Sequence, residues 1–300
     1  MAKRFERRRY TSKPIPWTDK QSSLLLEYLV SNDFDINQVK IMFPNRTEAS
    51  IRSKTRKLRI KNDLFGHSYR DQKTDFTIKC GEITKPAIVF DAYAGAGHQT
   101  MAWSQYARTV YASDNLSGKL EQFSANALDC DFEILQTKQE WTHFKSADDK
   151  ELLFYAGDAL RAAIEISYAK IPVDVLDLDT CGSTLPLLPT LLALLKPKYL
   201  VITHGEFHSI RFGRDDVLRR VLFSRDFRDT SIGLSNEEVK EELDKTVKLS
   251  ALRCHNETKD SLWAELLDEV WLGGKGKGLL RRLYKLNRPI ATADSLNEIL

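Results

Sequence analysis

Apolar and polar positions follow two rhythms along this chain. From residue 86 onward, short β-branched runs alternate with longer amphipathic stretches: AIVFD, TVYASD, LLFYAGD, VDVLDLD and YLVITH, with helix-like segments between them. The first four runs end in an acid, at Asp91, Asp114, Asp158 and Asp179. Alternating strand and helix predicts a parallel sheet with helices on both faces. Residues 236–272 read as strongly helical, with the acids of NEEVKEELDK suited to a helix start. The last apolar run, LLRRLYKL at 279–286, fits a strand and a helix nearly equally.

Before residue 62 the spacing is helical throughout. Thr18 can cap a first helix carrying Leu24, Leu25, Tyr28 and Leu29 on one side. Ile36 to Phe43 makes a short second helix stopped by Pro44, and Thr47 can cap a third that buries Ile51 and Leu58. Trp17 anchors the base of this small core. A basic tail at 1–13 precedes the unit at 14–61. Residues 62–85 read as a polar connector, which gives an organisation of 1–61, a linker at 62–77, and a large domain at 78–300.

Charge sharpens the division. Residues 1–61 hold 15 Lys+Arg against 6 Asp+Glu, a net of +9, so the whole-chain value of +3 leaves −6 for the rest. A basic head on an acidic body points to a polyanion as the head's partner. Cys80, Cys130, Cys181 and Cys254 show no CxxC spacing, which argues against a disulfide framework or a zinc ribbon and suits a reducing cytoplasm. The longest apolar run, Leu185 to Leu195, is broken by Pro186 and Pro189 and falls short of the ~20 residues of a membrane span. The start, MAKRFERRRY, lacks the apolar stretch of a secretory signal.

Trp17-Thr18, the leucines after them, and Arg46-Thr47-Glu48-Ala49 leading into Ile51-Arg52 resemble the Myb/SANT-like helix-turn-helix units of bacterial and phage DNA-binding proteins. That resemblance implies a third helix in the DNA major groove. Arg46, Arg52, Lys54, Arg56, Lys57 and Arg59 are then the expected nucleic-acid contacts, through phosphate affinity more than base reading.

The segment AIVFDAYAGAGHQT places Asp91 at a strand end and Gly95 and Gly97 before a helix, where the lack of a Cβ admits a ligand to the backbone. Asp114 ends the next strand and can accept two ribose hydroxyls. Asp158 falls at a helix start. A dinucleotide fingerprint would carry a third glycine where Thr100 stands. The Asp-x-x-x-Gly-x-Gly pattern instead resembles motif I of class I S-adenosylmethionine-dependent methyltransferases. The resemblance implies a Rossmann-like α/β sheet and S-adenosyl-L-methionine as cofactor. It puts Asp91 near the methionine moiety, Asp114 on the ribose and Asp158 by the adenine. Tyr93, Gly95, Gly97, Asn115 and Ala159 complete the expected cofactor set.

VDVLDLDTCGSTLPLL brings Asp177, Asp179 and Cys181 to the edge where open α/β sheets hold their active sites. Asp177 or Asp179 can hold the N–H groups of a base amine. Cys181 offers the alternative of a thiolate for pyrimidine C5 chemistry. The small-polar-Pro-Pro-aromatic motif of base-amine methyltransferases is absent. Asp177, Asp179, Gly182 and Ser183 resemble the Asp-x-Asp-Pro-Tyr-Gly-[Ser/Thr] strand of the tRNA N2-guanine dimethyltransferases, with Thr180 and Cys181 in place of Pro-Tyr. Further on, His204, Phe207, His208 and Phe212 are candidates to stack a flipped base, and Arg211 and Arg214 to hold phosphate. Trp141, in an insertion before the third strand, and the lysines of GGKGKG are weaker candidates. The expectation is a base-amine methyltransferase acting on DNA rather than RNA, the preference for DNA resting on the head alone. A tRNA or RNA methyltransferase and a non-catalytic DNA-binding regulator are the alternatives.

Overall fold

The computed structural model describes residues 16–31, 35–61, 69–116, 118–180, 182–207, 235–254, 262–273 and 279–287. The chain divides into two compact units, Met1–Ser68 and Tyr69–Leu300.

The first unit holds α1 (Asp19–Ser31), α2 (Ile36–Met42) and α3 (Glu48–Lys61). Thr18 Oγ1 accepts the Gln21 N–H at 3.2 Å and Thr47 Oγ1 accepts that of Ser50 at 3.2 Å. These bonds satisfy backbone donors that a helix start leaves open. Leu25, Leu29, Val39, Phe43, Ile51 and Leu58 form one core, and Trp17 meets Phe43 edge-on at 5.2 Å. Leu24, expected on the inner side of α1, is exposed.

The second unit opens with α4 (Arg70–Thr84), in place of the expected connector. Only Phe76, Thr77, Cys80 and Gly81 of this helix are buried. So narrow an inner face leaves almost no apolar periodicity in the sequence. Beyond α4 runs a sheet of β1 (Ile88–Asp91), β2 (Thr109–Asp114), β3 (Phe132–Lys138), β4 (Trp141–Ser146), β5 (Glu151–Ala156), β6 (Val175–Leu178), β7 (Tyr199–His204), β8 (Trp263–Leu272) and β9 (Leu279–Asn287). The order is β3-β4-β5-β2-β1-β6-β7-β9-β8. The five strands from β5 to β7 are parallel, and antiparallel hairpins flank them, β3–β4 on one side and β8–β9 on the other. The helical expectation for 263–272 is therefore corrected to a strand, and 279–287 resolves as its partner. The alternation AELLDEVWL satisfies either period, and pairing with β9 decides it.

The remaining helices are α5 (His98–Ser104), α6 (Lys119–Asp129), α7 (Ala159–Tyr168), α8 (Leu188–Leu195) and α9 (Asn236–Leu252). Strand periodicity divides the apolar residues between two layers. Val89, Val110, Ala112, Phe154, Val175, Val201 and Leu283 pack with Phe76, Trp103 and Phe123 on the α4–α5–α6 face. Phe90, Leu176, Leu178, Leu200, Ile202 and Tyr284 pack with residues of α7, α8 and α9 on the other. Ser235 and Glu238 form a reciprocal capping box at the start of α9, in keeping with its acid-rich opening. Among the described residues, no helix is long and apolar enough to cross a membrane.

Register sets up the site. Phe154, Ala112, Asp91, Asp177, Val201 and Leu283 lie side by side across the sheet. Two residues nearer the C-terminal edge, Ala156 pairs with Asp114, and Thr203 with Arg281. The same step along β6 leads from Asp177 to Asp179. The two rows are about 6.6 Å apart at the usual strand rise. The inner row runs through the core; of the outer one, Ala156, Asp114 and Asp179 reach solvent, while Thr203 and Arg281 stay buried.

Candidate active site

The strand order reverses at β1, with β2 and β5 on one side and β6 and β7 on the other. Helices leave in opposite directions there and open a crevice at the strand C-termini. The turn after β1 forms one wall. Its Ala92 N–H donates to Asp177 O at 3.0 Å and its Ala94 N–H to Ser113 O at 2.9 Å, so it is tied to both neighbouring strands. Gly95 has φ +56°, and a Cβ there would meet nothing within 4 Å. Gly97 differs. Its φ is +87°, and a Cβ would sit 2.6 Å from the Phe123 ring. Gly95 thus leaves open space, while Gly97 is required by packing against Phe123.

Asp114 stands on the outer row, half-buried. Its Oδ2 accepts the Gly95 N–H at 3.0 Å and its Oδ1 the Leu116 N–H at 2.8 Å. Each oxygen keeps a lone pair for a further donor. Asn115 and Leu116 beside it are exposed, and Leu116 presents apolar surface that no sequence motif marks. Asp158 caps α7 by accepting the Leu160 N–H at 2.8 Å and is exposed. Burial and then the Asp158 charge push the Tyr93 phenol up. Tyr93, Gly95, Asp114, Asn115 and Asp158 therefore gather at the ends of β1, β2 and β5. Ala159, the first residue of α7, is buried.

The other acids lie in a buried polar network. Asp91 is fully buried, and its Oδ2 accepts the Thr100 hydroxyl at 2.7 Å. Asp177 Oδ2 accepts the Trp103 indole N–H at 2.7 Å and Arg281 Nη2 at 2.6 Å. Arg281 also donates to Thr203 at 2.7 Å and Thr77 at 3.1 Å, and Thr77 donates to Gln99 at 2.6 Å. Burial and the neighbouring Asp177 charge push the Asp91 carboxyl up. Burial raises Asp177 too, against the pull of Arg281. The catalytic expectation for Asp177 is thus corrected: with no exposed surface and its Oδ2 engaged, it braces the sheet. Asp91 is likewise buried beneath the crevice rather than on its wall.

Asp179, one row out, keeps a tenth of its side chain exposed. Lys73 Nζ of α4 donates to both of its oxygens, at 2.7 and 2.8 Å. Burial pushes Asp179 up, but Lys73 and Arg281 outweigh it and hold the carboxyl below the usual range. Lys73 and Arg281 carry no motif and escape sequence reasoning. Two arginines inside the apolar run LLRRLYKL are the available signal, because a buried guanidinium needs a carboxylate partner.

Other expectations resolve as structural. His204 and Phe207 are buried, the latter 4.8 Å from Trp271. Trp141 donates to Glu165 at 2.6 Å and packs on Tyr155 at 5.0 Å. Burial raises the thiols of Cys80 to about 12 and Cys254 to about 11, so neither is a nucleophile at neutral pH. Cys181, His208, Arg211, Phe212, Arg214 and the lysines of GGKGKG lie outside the described residues.

In the helical unit Arg46 is corrected as a nucleic-acid contact. It is buried, stacks 4.7 Å over the Trp17 ring, and donates to Pro16 O at 2.7 Å and Gln21 at 2.6 Å. Arg52 is exposed and pairs with Glu48 at 2.7 Å. Lys57 is exposed and Lys54 partly so, while Arg56 and Arg59 belong to α3 with side chains outside the description.

No family model and no curated protein matches this chain. Among solved structures it is similar to Trm1 from Pyrococcus horikoshii in complex with S-adenosyl-L-methionine, with a TM-score of 0.58 at 18% identity over 75% of this chain and 57% of that one. The matched part thus spans a little over half of Trm1. Weaker likenesses are to the M. jannaschii tRNA m1G37 methyltransferase (TM-score 0.41, 10% identity, 72% of this chain and 49% of that one) and an rRNA methylase from Streptococcus thermophilus (TM-score 0.38, 16%, 72% and 95%). The fold is the Rossmann-like methyltransferase fold.

Proposed function

We propose that the protein is an S-adenosyl-L-methionine-dependent methyltransferase that modifies an amino group of a nucleic-acid base, RNA in preference to DNA. The observation that carries this reading is the crevice at the strand ends, where open space at Gly95 lies beside Asp114, with Tyr93 and Asp158 following β1 and β5. These residues fit the cofactor. Asp114 has acceptor capacity left for ribose hydroxyls, Leu116 offers an apolar face for an adenine, and Asp158 is exposed at its helix start. When bound, the cofactor supplies an electrophilic methyl group on a sulfonium. The chain's own part is to align the acceptor nitrogen. Asp179 is the acid placed for this, because its partly exposed carboxylate can accept the N–H groups of a base amine and turn the lone pair toward the crevice.

The preference for RNA has two supports. One is the resemblance of Asp177, Asp179, Gly182 and Ser183 to the tRNA N2-guanine dimethyltransferase strand. The other is the fold likeness to Trm1. It replaces the expected preference for DNA, which drew only on the basic head. That head still favours a second reading, duplex DNA held by Arg52, Lys54 and Lys57 of α3. The Thr180-Cys181 departure from Pro-Tyr favours a third, a regulator that binds without transferring methyl. Tritium transfer from labelled S-adenosylmethionine to bulk tRNA, duplex DNA and protein, followed by nucleoside analysis, separates all three. Label in an N-methylated tRNA base supports the proposal; label in DNA alone, or in none of them, overturns it.

A further inference from the structure

Taking Asp179 as the acid that holds the target amine, we propose that Lys73 is its positioning residue, the group that fixes the carboxylate for that task. Lys73 Nζ lies 2.7 and 2.8 Å from the two oxygens, and the two side chains are only 14% and 10% exposed. One ammonium bonded to both oxygens locks the carboxylate's rotation and leaves acceptor capacity for an N–H group of an amine.

The cations and acids around Asp179 show why Lys73 is needed. Arg281 of β9 is the other nearby cation, but it is committed to Asp177 at 2.6 Å and lies 3.9 Å from Asp179. Asp177 on the same strand and Asp91 on β1 are both acids. Thr203 of β7 accepts from Arg281 and keeps its own O–H to donate toward Asp179, which adds to the pull that holds the carboxyl low. Without Lys73, Asp179 would face two acids with Arg281, shared with Asp177, as its remaining close cation. Burial would then push its carboxyl upward, and a protonated acid offers an O–H where the amine needs an acceptor.

The lysine is itself held in place. Gln72 beside it accepts the Gly273 N–H at 2.7 Å, Lys79 pairs with Asp268 at 2.6 Å, and Thr77 accepts from Arg281 at 3.1 Å. Three polar ties thus bind α4 to the β8–β9 hairpin, so Lys73 and Arg281 approach Asp179 from elements locked to each other.

The test compares wild type with Lys73→Met and Lys73→Arg, each confirmed as folded by its unfolding transition. The Asp179 carboxyl is titrated by carbon-13 NMR with Asp179→Asn for assignment, and tRNA methylation is followed from pH 5 to 9. In Lys73→Met, Asp179 should protonate at least one pH unit higher than in wild type, and the acid limb of kcat should move with it. The loss should therefore grow toward the low end of that pH range, reaching about tenfold for each pH unit the limb has moved once the pH lies below the shifted value, with S-adenosylmethionine affinity unchanged. Lys73→Arg should restore the wild-type limb. An unshifted Asp179 titration, or a Lys73→Met enzyme as fast as wild type or faster at low pH, overturns the proposal. Failure of wild type to methylate any acceptor refutes the enzymatic reading instead, and the NMR titration still decides whether Lys73 governs Asp179.

Discussion

Asp91 and Asp177 occupy the inner row of the sheet, and Asp114 and Asp179 the outer one; two residues of strand give them opposite jobs. The inner acids sit among Phe154, Ala112, Val201 and Leu283, are fully buried, and take Thr100, Trp103 and Arg281 as partners. The outer acids keep surface or lone pairs for something else. All four look alike in the sequence, each close to the end of an apolar run. Their environments differ because depth along the strand, not residue type, decides how much water each one loses.

The largest effect expected of this difference is on stability. Arg281→Met leaves Asp177 buried without its cation, and breaking such a pair by removing one partner costs about 3–5 kcal/mol. Urea unfolding should show a loss of this size; a loss under ~1 kcal/mol would mean the inner row is not an electrostatic unit. Trp103→Phe keeps the ring but removes the donor to Asp177, for an expected loss of about 1–3 kcal/mol on the same assay. An unchanged midpoint would show that water replaces the indole.

Asp91→Asn has the most specific effect on stability, vanishing at low pH. The native carboxyl is raised above its unfolded value by burial, so between the two values the folded state binds more protons than the unfolded chain. Wild-type stability then falls as pH rises through that window, whose upper end is the native value of about 8. Asparagine removes this slope. The variant should match wild type near pH 4 and gain on it steadily as the pH rises toward 8, by at most about 1.4 kcal/mol per pH unit. Parallel stability curves would place the bound proton elsewhere.

Much of the larger unit is legible in the chain's own pattern. The five parallel strands stand out because their β-branched runs are short and separated by amphipathic stretches, and the β3–β4 insertion shows as Trp141 stranded ahead of the third run. What stays hidden depends on neighbours. Helix α4 buries too few residues to show a period. The segment 263–272 suits helix and strand alike until β9 lies beside it. Register cannot be read from one strand, so Asp177 and Asp179 look interchangeable. Lys73 is 106 residues from Asp179 in sequence, and only folding brings them together. Arg46 shows the same effect in the helical unit: a basic residue beside a basic helix reads as a nucleic-acid contact, yet Trp17 and Gln21 enclose it.

The division between rows is tested most directly by calorimetric titration of S-adenosylmethionine into wild type, Asp114→Ala and Asp91→Asn. Binding by wild type, with affinity at least tenfold weaker for Asp114→Ala and an unfolding transition that stays put, is the predicted result; loss of a hydrogen-bonded charge is worth roughly 1.5–3 kcal/mol. Equal affinity of wild type and Asp114→Ala, or no binding by wild type, would contradict the account.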